Sequence, residues 1–290
     1  MVEIKKTFNN IGIYSSKNSK RINLISEQVI EILNNLGKKA YISESSRFLS
    51  TSHKTYKDEF LIKKTDLIIS IGGDGTLLSS ARKYGIKGIP ILGINLGNLG
   101  FLTDIPPEDL TVLLRKVFKG EFNADERTFL KSSINKEHFN VALNEAVIHA
   151  GQIAQLIEYE LFIDEKFVYR QKADGIIIST STGSTAYSMS GNGPILHPDV
   201  KAFCLLPMFP LSLNTRPLLV DESSVLTIKM LSKRSKISLD SHTHKAINFG
   251  DEINIAKADK SFTLIHPQDH DFFNACRTKL GWSLEVHSEE

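Results

Sequence analysis

The hydrophobic period changes near residue 120, and that change limits the fold more than any motif does. Before it, short apolar runs alternate with stretches of helical spacing. "IGIY" (11–14) reads as a strand. Ile22, Ile25, Val29, Ile32, Leu33 and Leu36 then recur at helical intervals up to Gly37, with Ser19 placed to cap the start. "DLIIS" (66–70) and "IPILGI" (89–94) are further buried strands. Helices are expected over 76–84 and 107–118, ended by Gly85 and Gly120. Strands alternating with helices predict an α/β domain built on a parallel, doubly wound sheet. Residues 43–57 are polar and weakly patterned, and a mobile excursion is expected there.

After about residue 125, "QLIEYELFID", "SVLTIKML", "EINIAK" and "FTLIHP" alternate with period two between Gly, Asp, Lys and Ser clusters. Several short strands at this spacing predict a β-rich, sandwich-like second domain. "DFFNACRTKLGW" (271–282) reads as a terminal helix. The expected division is an α/β domain over 1–122, a β-rich domain over 123–268 and a tail over 269–290.

Composition removes several function classes. The 35 Lys and Arg against 33 Asp and Glu give no electrostatic case for nucleic acid. No apolar run approaches the roughly 18 residues of a membrane span, and no targeting segment is evident at the N-terminus. Cys204 and Cys276 are too few and too far apart for a disulfide framework or a metal site. A protein of a reducing cytoplasm is expected.

Three segments carry chemistry. "GGDGT" (72–76) follows a strand and opens a helix, where backbone N–H groups unobstructed by Cβ can approach anionic oxygens. Gly72, Gly73, Gly75 and Thr76 are thus candidate phosphate ligands. No Lys-Ser/Thr follows, so it is not a P-loop. Asp74 would repel phosphate unless it faces an acceptor hydroxyl or a metal, which suits phosphoryl transfer; the plainer reading is a helix cap. "GINLGNLGFLTDI" (93–105) is a second glycine loop on the same expected sheet edge.

"ADGIIISTSTGSTAYSMSGNGPILHP" (173–198) is either a linker or a polar pocket. Ala186, Tyr187 and Met189 favour the pocket, in which hydroxyls meet ribose and phosphate oxygens and Tyr187 faces a planar ring. Asp174 could accept from ribose hydroxyls or a carboxamide. In "LNEAVI" (143–148), Asn144 and Glu145 interrupt an apolar run, at a cost unless they find partners or the site is a surface bulge. "HTH" (242–244) could put two imidazoles on one strand face, but no third or fourth metal ligand lies nearby.

Together these segments resemble the NAD kinases, the bacterial ones above all. The motifs "GGDGT", "NLGNLGFLTD", "LNE", "DGIIISTSTGSTAYSMSGNGP", "PMFPLSLNTRPLLV" and "IHPQDHDFFNACRTKLGWS" run in that family's order along nearly the whole chain. The resemblance implies transfer of the ATP γ-phosphoryl group to the 2′-hydroxyl of the adenosine ribose of NAD, with a divalent cation, Mg²⁺ being expected. It implies that the C-terminal tail returns to the first domain, and that the chain forms a homodimer or homotetramer. Asp74 matches the family's proton acceptor. Gly75, Asn144, Glu145, Lys172, Asp174, Thr182, Thr185, Ala186, Tyr187, Ser188, Met189, Ser190 and His242 match or stand at dinucleotide-contacting positions.

Three positions depart from the pattern. Lys172 replaces a usual arginine, keeping charge but losing bidentate geometry. Leu211 stands where a histidine is common, and His242 where glutamine is frequent. GGDGT is shared with diacylglycerol-type lipid kinases, the alternative reading; a non-catalytic dinucleotide sensor is another. The first has little use for the Ser/Thr segment, the second none for Asp74.

Overall fold

The computed structural model describes residues 7–46, 53–97, 100–152 and 155–282. By compactness the chain divides into two units, residues 1–126 with 262–290, and residues 127–261.

In the first unit, β1 (Asn10–Tyr14) leads to α1 (Lys20–Asn35), then β2 (Lys39–Ser43), β3 (Thr55–Tyr56) and α2 (Asp58–Lys64). β4 (Leu67–Gly72), α3 (Asp74–Lys83), β5 (Ile91–Asn95) and α4 (Leu110–Phe118) follow. β4 pairs in parallel with β1 and β5, β1 with β2, and β2 with β3. All six residues of β4 are buried, as a central parallel strand covered on both faces must be. Leu67, Ile69 and Ile71 join Ile11 and Ile13 in one cluster with Val29 and Leu33 of α1 and Leu114 and Val117 of α4. On the opposite face the backbone is approached closely: a Cβ on Gly12 would meet Ile68 at 2.4 Å and Leu61 at 3.3 Å. One on Gly93 would meet Leu77 at 2.8 Å. Ser19 caps α1, its side chain accepting from the Ile22 N–H.

Part of the expected excursion at 43–57 is ordered structure. β3 extends the sheet by pairing Thr55 with Ile42, because Tyr56 gains a stacked partner in Phe60, with ring centroids 4.8 Å apart. Residues 47–52 of that segment lie outside the described residues, as do Asn98 and Leu99 of the second glycine loop. β2 and α2 were not expected from the sequence: "KAYIS" is too polar at its start to stand out, and α2 has only seven residues.

The chain continues as β6 (Phe122–Ile134), β7 (Glu137–Ala142), β8 (Glu145–His149), β9 (Ile157–Ile163), β10 (Lys166–Ala173) and β11 (Gly175–Thr180). Next come the one-turn α5 (Tyr187–Ser190), β12 (Ala202–Met208), β13 (Leu218–Asp221), β14 (Leu226–Met230), β15 (Ser235–Leu239) and β16 (Thr243–Ile247). β17 (Glu252–Pro267) and α6 (Phe272–Leu280) close the described chain. Within the second unit, β10, β9, β14 and β17 form one antiparallel sheet. The other has the order β13-β12-β11-β8-β15-β16. Alternate residues of both sheets meet in one core: Tyr159, Leu161, Ile228 and Ile253 from the first, Ile148, Ile176, Ile178 and Leu205 from the second. This is the expected β-rich sandwich. β17 ends in the first unit, where Leu264 and Ile265 pair in parallel with β5.

Leu33 holds α1 to its sheet and is fully buried. Leu33→Ala should destabilise folding by roughly 2–5 kcal/mol, the usual range for such a cavity. Denaturant unfolding measures this, and a change below about 0.5 kcal/mol would contradict the packing described.

Candidate active site

The C-terminal edge of the parallel sheet is where such folds bind ligands. There β4 ends at Gly72, and α3 starts two residues later with Gly73 as N-cap. A Cβ on Gly72 would meet Thr76 Oγ1 at 2.4 Å, whereas one on Gly73 or Gly75 would meet nothing within 4 Å. The first glycine serves the tight turn; the other two keep the surface open. Gly73 has no side chain with which to cap, and the Thr76 N–H bonds the Gly73 carbonyl at 2.9 Å, so the N–H groups of Asp74 and Gly75 are left uncapped at the positive end of the helix. Thr76 is buried, and its hydroxyl bonds Ser16 at 2.9 Å. Thr76 thus braces the turn, while Gly73 and Gly75 face outward.

Asp74 is the first residue of α3 and caps something other than its own helix. Its Oδ1 accepts from the Leu102 and Thr103 N–H groups at 3.2 Å each and from Thr103 Oγ1 at 3.0 Å. Its Oδ2 accepts from the Phe101 N–H at 2.9 Å, and the Lys279 ammonium lies 3.7 Å away. A carboxylate offers about four acceptor sites, so Oδ1 is saturated and Oδ2 keeps room for a hydroxyl. Gly100 makes this possible, because a Cβ there would lie 2.1 Å from Asp74 Oδ1. Asn95 at the end of β5 steadies the loop, donating to the Thr103 carbonyl at 3.1 Å and accepting from the Gly97 N–H at 2.8 Å.

The next residue, Asp104, anchors the loop from behind. Its Oδ2 lies 2.8 Å from Nδ1 of both His266 and His270, and Asp125 stands 3.6 Å from His266 Nε2. Burial alone would raise the Asp104 carboxyl, but hydrogen bonds from the two histidines outweigh it and hold it below the usual carboxylate range. Among the described residues, these three form the Asp/His group with metal-ligand spacing. Its geometry speaks for hydrogen bonding instead. The two imidazoles stack with centroids 3.9 Å apart and planes 15° from parallel, and both turn Nδ1 to the same Asp104 oxygen. His242 and His244 belong to no such group.

The second unit holds the other candidates. Asn144 and Glu145 lie at the start of β8, and their backbone is gathered by Asp240. The Asp240 carboxylate accepts from the Leu143, Asn144 and Glu145 N–H groups at 3.0, 2.8 and 3.3 Å. Asp240 and Ser241 take φ values of 47° and 52°, a left-handed two-residue turn between β15 and β16. Both side chains of the 144–145 pair are buried, and among the described residues Asn144 Oδ1 and Glu145 Oε2 have no hydrogen-bond partner. Burial, reinforced by the Asp240 charge, pushes the Glu145 carboxyl from an ordinary 4.5 up to about 7, although the Tyr187 N–H opposes this. Two buried acceptors without donors are costly unless a ligand supplies them.

The Ser/Thr segment is a folded turn. Thr182 to Thr185 form a short 3-10 helix, and α5 follows. A Cβ on Gly183 would meet the Asn144 carbonyl oxygen at 2.1 Å, so the turn rests directly on the 144–145 backbone. Some hydroxyls of the segment bond backbone carbonyls within the unit. Thr180 Oγ1 donates to the Leu143 carbonyl at 2.6 Å, and Ser184 Oγ to the Ser181 carbonyl at 2.7 Å. Ser188 is fully buried and Thr182 nearly so, whereas Thr185, Ala186 and Met189 are half-buried and Tyr187 and Ser190 exposed. Asp174 and Tyr187 line a cavity of about 380 Å³ with His149, Met208, Phe209 and Ser241.

Of the candidates in this unit, only Asp174 and Tyr187 belong to that lining. Lys172 is paired with Glu158 across the β9–β10 ladder, Nζ to Oε2 at 3.6 Å. His242 is exposed and follows the left-handed turn, its backbone N–H bonding the Leu239 carbonyl at 3.0 Å. Leu211 is exposed as well, so the lost histidine leaves no packing defect.

Comparison with known proteins decides the family. A model of the ATP-NAD kinase N-terminal domain matches residues 13–122, and one of the C-terminal domain matches residues 143–267. The chain is 39% identical to the NAD kinase of Shewanella halifaxensis over 98% of its own length and 95% of that protein's. It is 44% identical to the NAD kinase of Tolumonas auensis, over 77% of this chain and 79% of the relative. The chain belongs to the NAD kinase family.

Family membership across the whole length brings the activity with it: phosphorylation of NAD by ATP, giving NADP and ADP. Among solved structures, yeast NADH kinase complexed with NADH superposes with a TM-score of 0.87 and 25% identity, covering 98% of this chain and 90% of that one. An NAD kinase from Archaeoglobus fulgidus in complex with ATP gives a TM-score of 0.72 at 25% identity, covering 94% and 97%. Against this background, four residues around the NAD kinase motifs escape sequence reading: Thr103, Asp104, Asp240 and Lys279. A carboxylate two residues before His242 was the one visible signal for Asp240.

Glu145 gives a pH signature in the protein without ligand. Its folded pKa lies above its unfolded value, so the proton it retains stabilises the fold below about pH 4.5. That contribution is lost as pH rises to about 7, above which a buried charge remains beside Asp240. Glu145→Gln removes the titration. The melting temperature of the variant minus that of wild type should therefore grow between pH 5 and pH 8; a constant difference would contradict the burial of Glu145.

Proposed function

We propose that Asp74 takes the proton of the attacking 2′-hydroxyl, and that Asn144, Glu145 and Asp174 recognise the dinucleotide. The carrying observation is the asymmetric clamp on Asp74: Oδ1 is saturated by residues 102–103, and Oδ2 retains acceptor capacity at the mouth of α3. As the hydroxyl oxygen attacks the γ-phosphorus, its proton passes to Oδ2, and the electron pair of the breaking bond leaves with ADP. Gly73 and Gly75 let phosphate oxygens approach the first-turn N–H groups of α3.

The unpartnered Asn144 Oδ1 and Glu145 Oε2 suit ribose hydroxyl donors, since every hydroxyl carries one. Asp174 and Tyr187 offer a carboxylate and an aromatic face to a planar group in the cavity they line. Thr185, Ala186, Met189 and Ser190 border the ligand, while Thr182 and Ser188 support the turn from beneath. Lys172 contributes positive charge, and His242 is a peripheral dinucleotide contact. The NADH and ATP bound by the two structural relatives support this reading of substrate classes.

A divalent cation, Mg²⁺ by preference, is proposed to accompany ATP. The Asp104 group offers two imidazoles and one carboxylate, a poor match for a cation that takes oxygen ligands, so the ion would be carried by donor phosphates and water, as its hydration chemistry favours. The exposed loop residues Phe209, Leu211 and Leu213 support a homodimer or homotetramer as the working form. No helix of the described residues is long and apolar enough to cross a membrane. A cytoplasmic location is proposed on the two free, buried cysteines, Cys204 and Cys276. No observation favours a lipid kinase or a non-catalytic sensor.

Asp74→Asn should lower kcat by roughly 10²-fold or more, the common scale of acid–base catalysis, with NAD affinity nearly unchanged. Steady-state kinetics beside calorimetric NAD binding tests this. Near-normal kcat would remove Asp74 from the proton transfer.

A further inference from the structure

Lys279 lies outside every motif role assigned above, yet it is the cation that the first unit brings to Asp74. It stands in the last turn of α6, seven residues and two turns after Phe272, on the same helix face. Phe272 packs against Phe101 with ring centroids 6.2 Å apart. The start of α6 is fixed by Asp271, which accepts from the Phe273 N–H at 2.8 Å and from Arg277 at 2.9 Å. Gly281, with φ 67°, ends the helix in the left-handed conformation that glycine tolerates. The position of Lys279 is thus set from both ends, and a cation there is favoured by the helix dipole.

Its surroundings leave the ammonium underused. Nζ is 3.7 Å from Asp74 Oδ2, beyond hydrogen-bond range, and 4.4 Å from the centre of the Phe101 ring. The side chain is only 25% exposed. The residue as a whole is exposed, and among the described residues Nζ makes no hydrogen bond, so its three N–H donors remain available to solvent or to a ligand. An ammonium that served only to staple α6 to the loop would close the gap to the carboxylate. Here it stops short, beside the one Asp74 oxygen with acceptor capacity left.

We propose that Lys279 binds the phosphoryl group during its transfer, donating to a non-bridging oxygen of the γ-phosphate while Asp74 Oδ2 receives the hydroxyl proton. This rests on the proposed role of Asp74. The two groups would bracket the reacting oxygen: acceptor for its proton on one side, cation for the charged phosphoryl on the other. The bond made is 2′-oxygen to γ-phosphorus, and the bond broken is γ-phosphorus to the bridging oxygen that leaves with ADP. Lys279 keeps its proton and changes no covalent bond. Cations aimed where charge lies in the transition state act chiefly on kcat.

The test compares wild type, Lys279→Met, Lys279→Arg and Asp74→Asn as full-length chains with ATP, Mg²⁺ and NAD. Lys279→Met should lose about 10²-fold in kcat, on the scale of one lost electrostatic donor, with KM for NAD within about twofold. Lys279→Arg should regain at least about tenfold over Met, and both melting temperatures should stay within a few degrees of wild type. A kcat within about threefold of wild type for Lys279→Met would overturn the proposal. So would a loss in both variants that tracks a large fall in melting temperature, which marks a mere staple. Asp74→Asn separates the two failures: normal kcat there sinks the underlying reading, whereas a loss there with normal Lys279→Met sinks only the role of Lys279.

Discussion

The first unit is organised around a single carboxylate bound by a loop distant in sequence. Asp74 sits at the positive end of α3, where its charge is favourable, and four donors from residues 101–103 fix its orientation. The parallel sheet exists, from this standpoint, to bring the ends of β4 and β5 side by side; Gly72 is paired with Asn95 in the ladder. The β5 end then supplies the clamp through Asn95 and Thr103, and Asp104 ties the clamp to His266 near the end of β17 and His270 just beyond it. Each link is short-range and polar, and each depends on the one before.

The second unit applies the same logic with the opposite electrostatics. Asp240 binds three consecutive backbone N–H groups and so shapes the 143–145 bend, while its charge makes Glu145 harder to ionise. Gly183 lets the Ser/Thr turn rest on that bend. Two acceptors, Asn144 Oδ1 and Glu145 Oε2, are kept here without donors among the described residues, at a cost in local stability. Buried polar groups left unpaired in a folded chain mark a place made for something else.

The period change, the parallel sheet and the sandwich were legible because burial on one or two faces writes itself into hydrophobic spacing. The helix over Lys20–Asn35 and its Ser19 cap are the clearest instance. GGDGT announced a strand-to-helix turn because only glycine fits beside Thr76. What the spacing hides is division of labour among like residues. In "STSTGSTAYSMS", Thr180 and Ser184 bond backbone and Ser188 is buried, and nothing in composition distinguishes them from Thr185 or Ser190. Asp104, Asp240 and Lys279 act through contacts with residues distant in sequence, or through a turn, and carry no local signature. The strand at Thr55–Tyr56 escaped for a related reason: it is held by a ring stack on Phe60 rather than by an apolar face.

On the proposed role of Asp74, the loop at 100–103 positions it for catalysis, and Gly100 is the point at which to press this. A methyl group there would fall 2.1 Å from Asp74 Oδ1 and 2.4 Å from Thr103 Oγ1, so the loop must retreat from the carboxylate. Displacing a catalytic group by about 1 Å costs on the order of 10²-fold in rate. Measured on Gly100→Ala, kcat should fall by about that factor while NAD affinity and melting temperature change little. A variant that turns over at the wild-type rate would contradict the account, because Asp74 would then act without the clamp.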